Sequence, residues 1–513
     1  MGNNEYFGND NARLWTQLGG PGSALVTINC SDIGDVDIPQ GDVSREMCPD
    51  PVVPGGSHVA YRAQGFPGEP TIQFTVPLGK TASYLEKMAR KRCPVPFYVL
   101  WAACADMDVF LPLPDDEQFR GYVARGGILT GRGVTNQKSA RRDGGAGTGT
   151  MQTFTVSFED VQDFFRLVAE RETVAGILIW NAIAAVNREV CGSSCGPTED
   201  LCEHLIAVGA AAAGVAEIYF SANSGQTWTV TAADPFAVTE TISGCGGYPT
   251  GSGTFRVFAM RGSTVAATLP QVAYSDDLGA TWTVVDIGAT VIEFSPSGEG
   301  FKIINRNLMF TVTDTGAGAG GHIYRGTLGG TVWEAVMTAG DVLNCVDFLN
   351  ENEGIAGGET DGLYHTVDGG DTWESLGGAG GAEINACAML DSKHWIIGYA
   401  AGTMFQTFDG GATWEAIIVN LPAGSTAIAV VNSLRAIDDQ CVFAGLQYTS
   451  GGNPFGSIAR NIAGGASNAW EHHVTPLTTT SGIKGLAVCG YNTCHGVGGV
   501  QGALSTAMVA SSD

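Results

Sequence analysis

The chain is poor in positive charge: 26 Lys and Arg stand against 52 Asp and Glu in 513 residues, a net charge of −26. A nucleic-acid groove needs a basic surface, so sequence-specific nucleic-acid binding is not expected. The deficit is uneven. Residues 1–200 hold 17 basic and 24 acidic side chains, while residues 201–513 hold 9 and 28. The plain consequence of so acidic a C-terminal part is solubility and mutual repulsion. Long apolar runs are lacking too. Residues 175–186 and 205–216 are too short to span a bilayer and are interrupted by Asn or Gly. The opening residues Met1-Gly2-Asn3-Asn4-Glu5-Tyr6 are polar and acidic, unlike a secretory signal. Tyr6 also stands where a myristoylation motif has Ser or Thr. The expectation is a soluble chain made in a cytoplasm, with no membrane insertion.

Glycine is abundant, at 73 residues, which suits many short strands and tight turns. Much of it falls in a repeat. Ser275-Asp276-Asp277-Leu278-Gly279-Ala280-Thr281-Trp282 returns as Thr366-Val367-Asp368-Gly369-Gly370-Asp371-Thr372-Trp373 and as Thr407-Phe408-Asp409-Gly410-Gly411-Ala412-Thr413-Trp414. Ser221-Ala222-Asn223-Ser224-Gly225-Gln226-Thr227-Trp228 differs mainly by Asn for Asp. Segments 325–333 and 464–470 are degenerate copies ending in Trp333 and Trp470. Alternating apolar residues flank each copy, so each reads as strand, turn, strand. The Asp side chain accepts from turn amides, Gly supplies a positive φ, the hydroxyls add local bonds, and Trp covers the turn. The tryptophans are 54, 51, 40, 41 and 56 residues apart. That spacing suits four-stranded propeller blades of about 40–50 residues.

The pattern Ser/Thr-x-Asp-x-Gly-x-Thr-Trp resembles the Asp-box, or BNR repeat, of sialidase-like β-propellers. The resemblance implies a propeller of six blades, if strands at 483–488, 495–501 and 503–509 pair with strands near 217–230 and so remove the open edge. Seven blades follow if those C-terminal strands form a unit of their own. In that family the boxes lie on the outer edge of the blades. The resemblance therefore makes Ser221, Asn223, Gly225, Trp228 and their counterparts structural residues.

Residues 1–170 lack the repeat. Strands are expected at 24–29, 71–76, 97–102, 120–130 and 151–157. A helix is expected at 82–91, with Arg90-Lys91-Arg92 at the negative end of its dipole. The polar, Gly-rich segment 131–149 reads as a long hairpin loop. A β-sandwich or barrel with one helix and an extended loop is similar to the tail-tube fold of bacteriophage virion proteins. That resemblance implies self-association into stacked rings, commonly hexameric, alongside other virion proteins. The propeller would then be displayed outward toward a host-surface glycan or protein. The expected organisation is an assembly domain at 1–170, a connector with a Cys-rich loop at 171–215, and a propeller at 216–513.

Thirteen cysteines are present. Cys345, Cys387, Cys441 and Cys489 fall in expected strands and read as small buried apolar residues. Cys191, Cys195, Cys202 and His204 offer the four ligands of a zinc site, but their spacing matches no common zinc module. A Cys191–Cys195 disulfide or free thiols are the alternatives. No other metal or cofactor motif is found.

Sialidases are the enzyme comparison. The Arg-Ile-Pro motif of that family is absent, and Arg256, Arg261, Arg306, Arg325, Arg435 and Arg460 are the six arginines after residue 200. Of these, Arg325 and Arg460 adjoin the degenerate copies and read as peripheral. No carboxylate pair suited to glycoside hydrolysis stands out. The pair His472-His473 reads as surface, and Gly244-Cys245-Gly246-Gly247 as a turn between strands. The expectation is thus a non-enzymatic structural virion protein, a tail-tube subunit of the virion tail. The alternatives are a glycan-acting sialidase-like enzyme and a non-viral binding or scaffold propeller.

Overall fold

The computed structural model describes residues 12–17, 26–28, 32–37, 43–49, 58–64, 71–77, 85–86, 98–103, 119–125, 128–140, 146–158, 160–165, 169–174, 177–186, 204–211, 216–231, 235–236, 241–251, 254–262, 269–288, 293–294, 298–314, 320–380, 383–421, 425–450, 453–478, 482–501 and 504–512. The chain divides into two compact units, one of residues 1–109 and 119–165, the other of residues 110–118 and 166–513.

The first unit is antiparallel β among the described residues. A five-stranded sheet runs in the order Asp160–Phe165, Phe119–Arg125, Tyr98–Ala103, Ala12–Gln17, Val26–Ile28. A four-stranded sheet runs Asp32–Asp37, Thr71–Pro77, Ala146–Ser157, Ile128–Ala140, and Val43–Pro49 pairs with His58–Gln64. Phe74 and Phe154 pack at 6.0 Å between ring centroids and are fully buried. The segment read as a long loop, 131–149, is instead largely a strand hairpin, with Ala146 opposite Ala140. Its Thr and Gly residues satisfy their backbone groups in a ladder, which an extended loop would leave to solvent. Of the expected helix at 82–91, Leu85 and Glu86 are helical and the rest lies outside the described residues.

The second unit is a β-propeller. Six blades are each built from consecutive strands. The first uses Ile177–Ala185, Leu205–Ala211, Ala216–Ser221 and Thr229–Val230. The second begins at Thr241–Gly251, the fourth at Leu343–Phe348, the fifth at Ile384–Met389 and the sixth at Ser425–Ala436. The third adds an extra strand, with both Glu293–Phe294 and Phe301–Asn305 pairing with Leu308–Asp314. One more sheet is composite: Ile483–Val488, Cys494–Gln501 and Leu504–Ser512 are completed by Ala169–Val174 from the other end of the unit. Innermost strands touch in succession around the axis, and Ile483–Val488 packs back on Ile177–Ala185, so the ring closes.

Two sequence expectations are corrected here. The C-terminal strands pair with Ala169–Val174 and not with the 217–230 region. The stretch read as a connector supplies the first two strands of a blade. Its apolar residues Trp180, Ile183 and Val186 are buried. Leaving them on a linker would expose surface that pairing with Leu205–Ala211 removes from water.

Blade strands bury both faces. In Thr254–Gly262, Val257 and Ala259 join the core shared with the first blade, while Phe258 and Met260 join the core shared with the third. This is why the strands read as near-continuous apolar runs. Inner strands also carry bulges, which set backbone carbonyls out of the ladder. The preceding blade satisfies two of these: Asn181 donates to the Ile242 carbonyl at 2.7 Å, and Asn344 to the Ile384 carbonyl at 3.3 Å.

The repeat turns join third to fourth strands. In the fourth blade Gly370 N–H donates to Thr366 Oγ1 at 3.0 Å, Thr372 N–H to Asp368 Oδ1 at 2.9 Å, and the Thr372 hydroxyl to Asp368 Oδ2 at 2.6 Å. The turns at Asp277 and Asp409 repeat this pattern, and Asn223 keeps the amide bond from Thr227 at 2.9 Å. The threonine hydroxyls are the main cause that holds Asp277, Asp368 and Asp409 down at a pKa of about 2. In the sixth blade Asn461 replaces the hydroxyl, accepting from Gly465 N–H at 2.9 Å.

The last glycine of each turn does more than supply its positive φ. A Cβ on Gly370 would lie 2.7 Å from Phe310 of the third blade, one on Gly279 2.5 Å from Thr231 of the first, and one on Gly465 2.6 Å from Ile396 of the fifth. Each turn is therefore pressed against the preceding blade. Gly370→Ala (φ +80) combines backbone strain with this clash and is expected to cost roughly 2–4 kcal/mol. Gly369→Ala (φ +72), with only the Glu351 carbonyl nearby at 3.1 Å, should cost about 1 kcal/mol. Urea unfolding of the two variants measures the difference, and equal losses would show that φ alone requires glycine.

Three buried histidines set the acid side of the stability profile. Burial lowers His394, His472 and His495 to about 4. They stay neutral in the fold, whereas an unfolded histidine titrates near 6.5. Their contribution is complete above about pH 6.5 and is lost as pH falls toward 4. Neither ring nitrogen of His495 has a hydrogen-bond partner among the described residues. The melting temperature should fall across this window, and His495→Leu should flatten the slope.

Candidate functional site

The innermost strands enclose an axial cavity of about 1030 Å³. Its wall takes residues from the inner strand, or the turn after it, of each of the seven sheets, among them Ala185, Tyr248, Lys302, Asp347, Met389, Arg435 and Leu486. The far end is blocked. Between the two inner strands of the third blade, the single 3-10 turn Gly298–Gly300 enters the axis and touches the innermost strands of the other six sheets. The Thr311 hydroxyl holds this plug by donating to the Gly300 carbonyl at 3.1 Å.

Glu299 at the tip of the plug is 1% exposed. Its carboxylate accepts from the Ser433 hydroxyl at 2.5 Å and from Arg435 Nη1, both on the sixth blade. Burial pushes the carboxyl up, and Arg435 opposes that shift. Beside it, Lys302 Nζ lies 2.5 Å from Asp347 Oδ1, and the Met389 N–H donates to Asp347 Oδ2 at 2.8 Å. The network thus joins third, fourth, fifth and sixth blades across the axis. Both carboxylates are engaged, so the arrangement is one of mutual compensation in a low-dielectric site.

Toward the mouth the wall becomes polar. Asn305 donates to Glu351 Oε1 at 2.7 Å, the Tyr491 hydroxyl donates to Asp438 at 2.6 Å, and Arg306 is exposed. Leu349 adds an apolar rim residue that is 37% exposed. Cys245 is a wall residue whose thiol turns into the core between the first two blades and donates to the Ile206 carbonyl at 3.5 Å, and burial holds its pKa well above the usual thiol range.

None of the repeat residues lines this cavity. Trp373 packs instead on Phe310 and Phe348, and Trp228 on Trp180. Of the zinc candidates, Cys191, Cys195 and Cys202 lie outside the described residues. The His204 ring packs 4.5 Å from Phe255, and no metal-holding cluster occurs among the described residues. Cys345, Cys387 and Cys441 are free and buried, whereas Cys489 is disulfide-bonded and not the plain apolar filler expected.

Two further expectations are corrected. His472 is 6% exposed, with Nδ1 3.2 Å from the Ser457 hydroxyl, because its strand buries both faces. Arg460, on Asn453–Asn461, does not line the cavity and is buried where it stands: it pairs with Glu471 and donates to the Tyr491 carbonyl at 2.8 Å. Gly244, Gly246 and Gly247 sit in an innermost strand, not a turn, since a Cβ on Gly246 would lie 2.8 Å from Phe301. The axial residues are not legible in the sequence, because Glu299 and Arg435 are 136 positions apart. The one local signal was an arginine inside an otherwise weakly polar strand, Ser425–Ala436.

No protein-family model and no curated protein matches the chain. Solved β-propellers do resemble it. YCF48 bound to D1 peptide aligns with a TM-score of 0.46 and 12% identity, over 67% of this chain and 94% of that one. A GH74 xyloglucanase from Xanthomonas campestris gives 0.47 and 15%, over 65% and 52%. The WD40 propeller domain of Doa1 gives 0.44 and 8%, over 68% and 98%. These likenesses concern the fold alone.

Removing one partner of the axial pair should destabilise strongly. Arg435→Met leaves Glu299 buried without its cation and is expected to cost about 3–5 kcal/mol. The double variant Glu299→Gln/Arg435→Met should lose clearly less than the sum of the single changes. A double-mutant cycle in urea checks this, and strict additivity would show that the pair is not coupled.

Proposed function

We propose that the second unit is a binding propeller, a non-enzymatic module that takes its ligand in the axial cavity and serves as a scaffold for it. One observation carries this reading: the cavity is blind. A closed floor and a polar mouth suit capture and release through one opening. The volume is in the range of small-ligand sites, and the wall combines apolar residues with a few placed polar groups. The carboxylates near the floor are tied up by Ser433, Arg435, Lys302 and the Met389 amide, which favours holding a ligand over general acid–base work. The propeller fold serves many roles, so the site and not the fold decides the function.

Screening wild type and Leu349→Trp against peptide and glycan arrays tests the reading. Binding that disappears in the variant at unchanged melting temperature supports it. Ligands bound equally by both proteins would place the site elsewhere.

A second reading keeps the assembly role for the first unit, as a virion tail-tube subunit. Its support is the hairpin Ile128–Ala140 with Ala146–Ser157. Thr71–Pro77 pairs with the latter strand only over Met151 to Ser157, so residues 146–150 extend beyond that partner as a two-stranded arm. Such an arm offers open edges for pairing with another copy. Negative-stain electron microscopy of the purified chain should show rings or tubes if this holds, and dispersed single particles would end it.

A further inference from the structure

We propose that the floor of the axial cavity is an oxyanion site, taking a ligand that presents a phosphate, sulfate or carboxylate group. The inference rests on the binding-propeller reading and adds the chemical class of its ligand. It comes from the orientation of two ion pairs. In each pair the carboxylate lies deeper than its cation: the Lys302 side chain is 30% exposed over Asp347 at 8%, and Arg435 is 22% exposed over Glu299 at 1%. Lys302 and Arg435 both line the cavity, whereas Glu299 does not reach its wall. Asp347 lines the cavity as well, so the Glu299–Arg435 pair keeps its carboxylate off the wall, while in the Lys302–Asp347 pair the cation is the more exposed member. All of the hydrogen bonds Arg435 makes to described residues run through Nη1, to Glu299 and to the Leu434 carbonyl at 3.0 Å. Nη2 and Nε remain as donors, and a guanidinium fork suits an oxyanion.

A third cation stands above them. Arg306 lines the cavity and has no ion-pair partner among the described residues. Only 9 Lys and Arg occur in residues 201–513, and three of them meet at this one cavity. Glu351 and Asp438, the carboxylates nearer the mouth, line the cavity too; each accepts from a neutral donor, Asn305 and Tyr491, which orients the carboxylate without pairing its charge. The low-dielectric wall strengthens the field of the cations relative to a surface site.

The test is calorimetric titration of the full chain with inorganic phosphate, glucose 6-phosphate and glucose, at constant ionic strength set by chloride. Binding of phosphate and glucose 6-phosphate, with none for glucose, is expected. Equal affinity for the two phosphates assigns a free ion, and tighter binding of the sugar phosphate assigns a group carried on a larger ligand. Arg306→Gln, at an exposed position outside the axial network, should weaken binding by about tenfold. A second variant, Lys302→Gln, should weaken it similarly. Oxyanion binding that is blocked by Leu349→Trp but indifferent to both charge changes overturns the oxyanion site and leaves the cavity reading standing. So does glucose binding alone. Binding untouched by Leu349→Trp sinks both readings, and no response to either phosphate overturns the oxyanion site.

Discussion

The axial network of Glu299, Arg435, Ser433, Lys302 and Asp347 is the constraint on which the interior of the propeller depends. A ring of sheets leaves a hole along its axis, and that hole must be filled, plugged or hydrated. Here the third blade fills it with one short turn whose glutamate is held by the sixth blade. A carboxylate this deep is stable only because a guanidinium and a hydroxyl reach it. The same bonds make a floor, and a floor turns a channel into a cavity. Structure and the proposed function thus rest on the same few atoms.

Around the rim a different device holds the blades together. Each repeat turn is closed by its own side-chain bonds, a hydroxyl with a carboxylate at Asp277, Asp368 and Asp409, and its last glycine lets the turn lie against the blade before it. Because the Asp side chains are solvated, their local bonds order the turn more than they stabilise the whole fold. The larger share comes from what the turn positions. Trp373 covers Phe310 and Phe348, and the corresponding tryptophans cover the neighbouring cores. Packing between blades is dispersive and continuous, and packing on the axis is ionic and local.

Much of this was legible in the chain. The four repeat turns, their strand flanks and the propeller itself followed from a recurring tryptophan and its spacing. The sixth-blade turn was harder to read, because Asn461 lies ahead of the segment that looked like the repeat. The closing sheet was misplaced, since strand order along the chain does not say which end completes a ring. Residues 177–186 looked like a linker because their partner strand comes after a Cys-rich segment. Gly244, Gly246 and Gly247 read as a turn because glycine usually marks one, yet Gly246 makes room for Phe301 and Gly247 for Val186.

By itself the sequence determined the β architecture, the repeat turns and the acidic character of the propeller. These are set by local periodicity, turn chemistry and composition, which act over a few residues. Only the tertiary structure decided where the charges sit. Glu299 and Arg435 meet across the axis, Asp347 and Lys302 come from adjacent blades, and the cations end up above their carboxylates. Ring closure imposes those meetings, and no local rule encodes a contact between residues 136 positions apart.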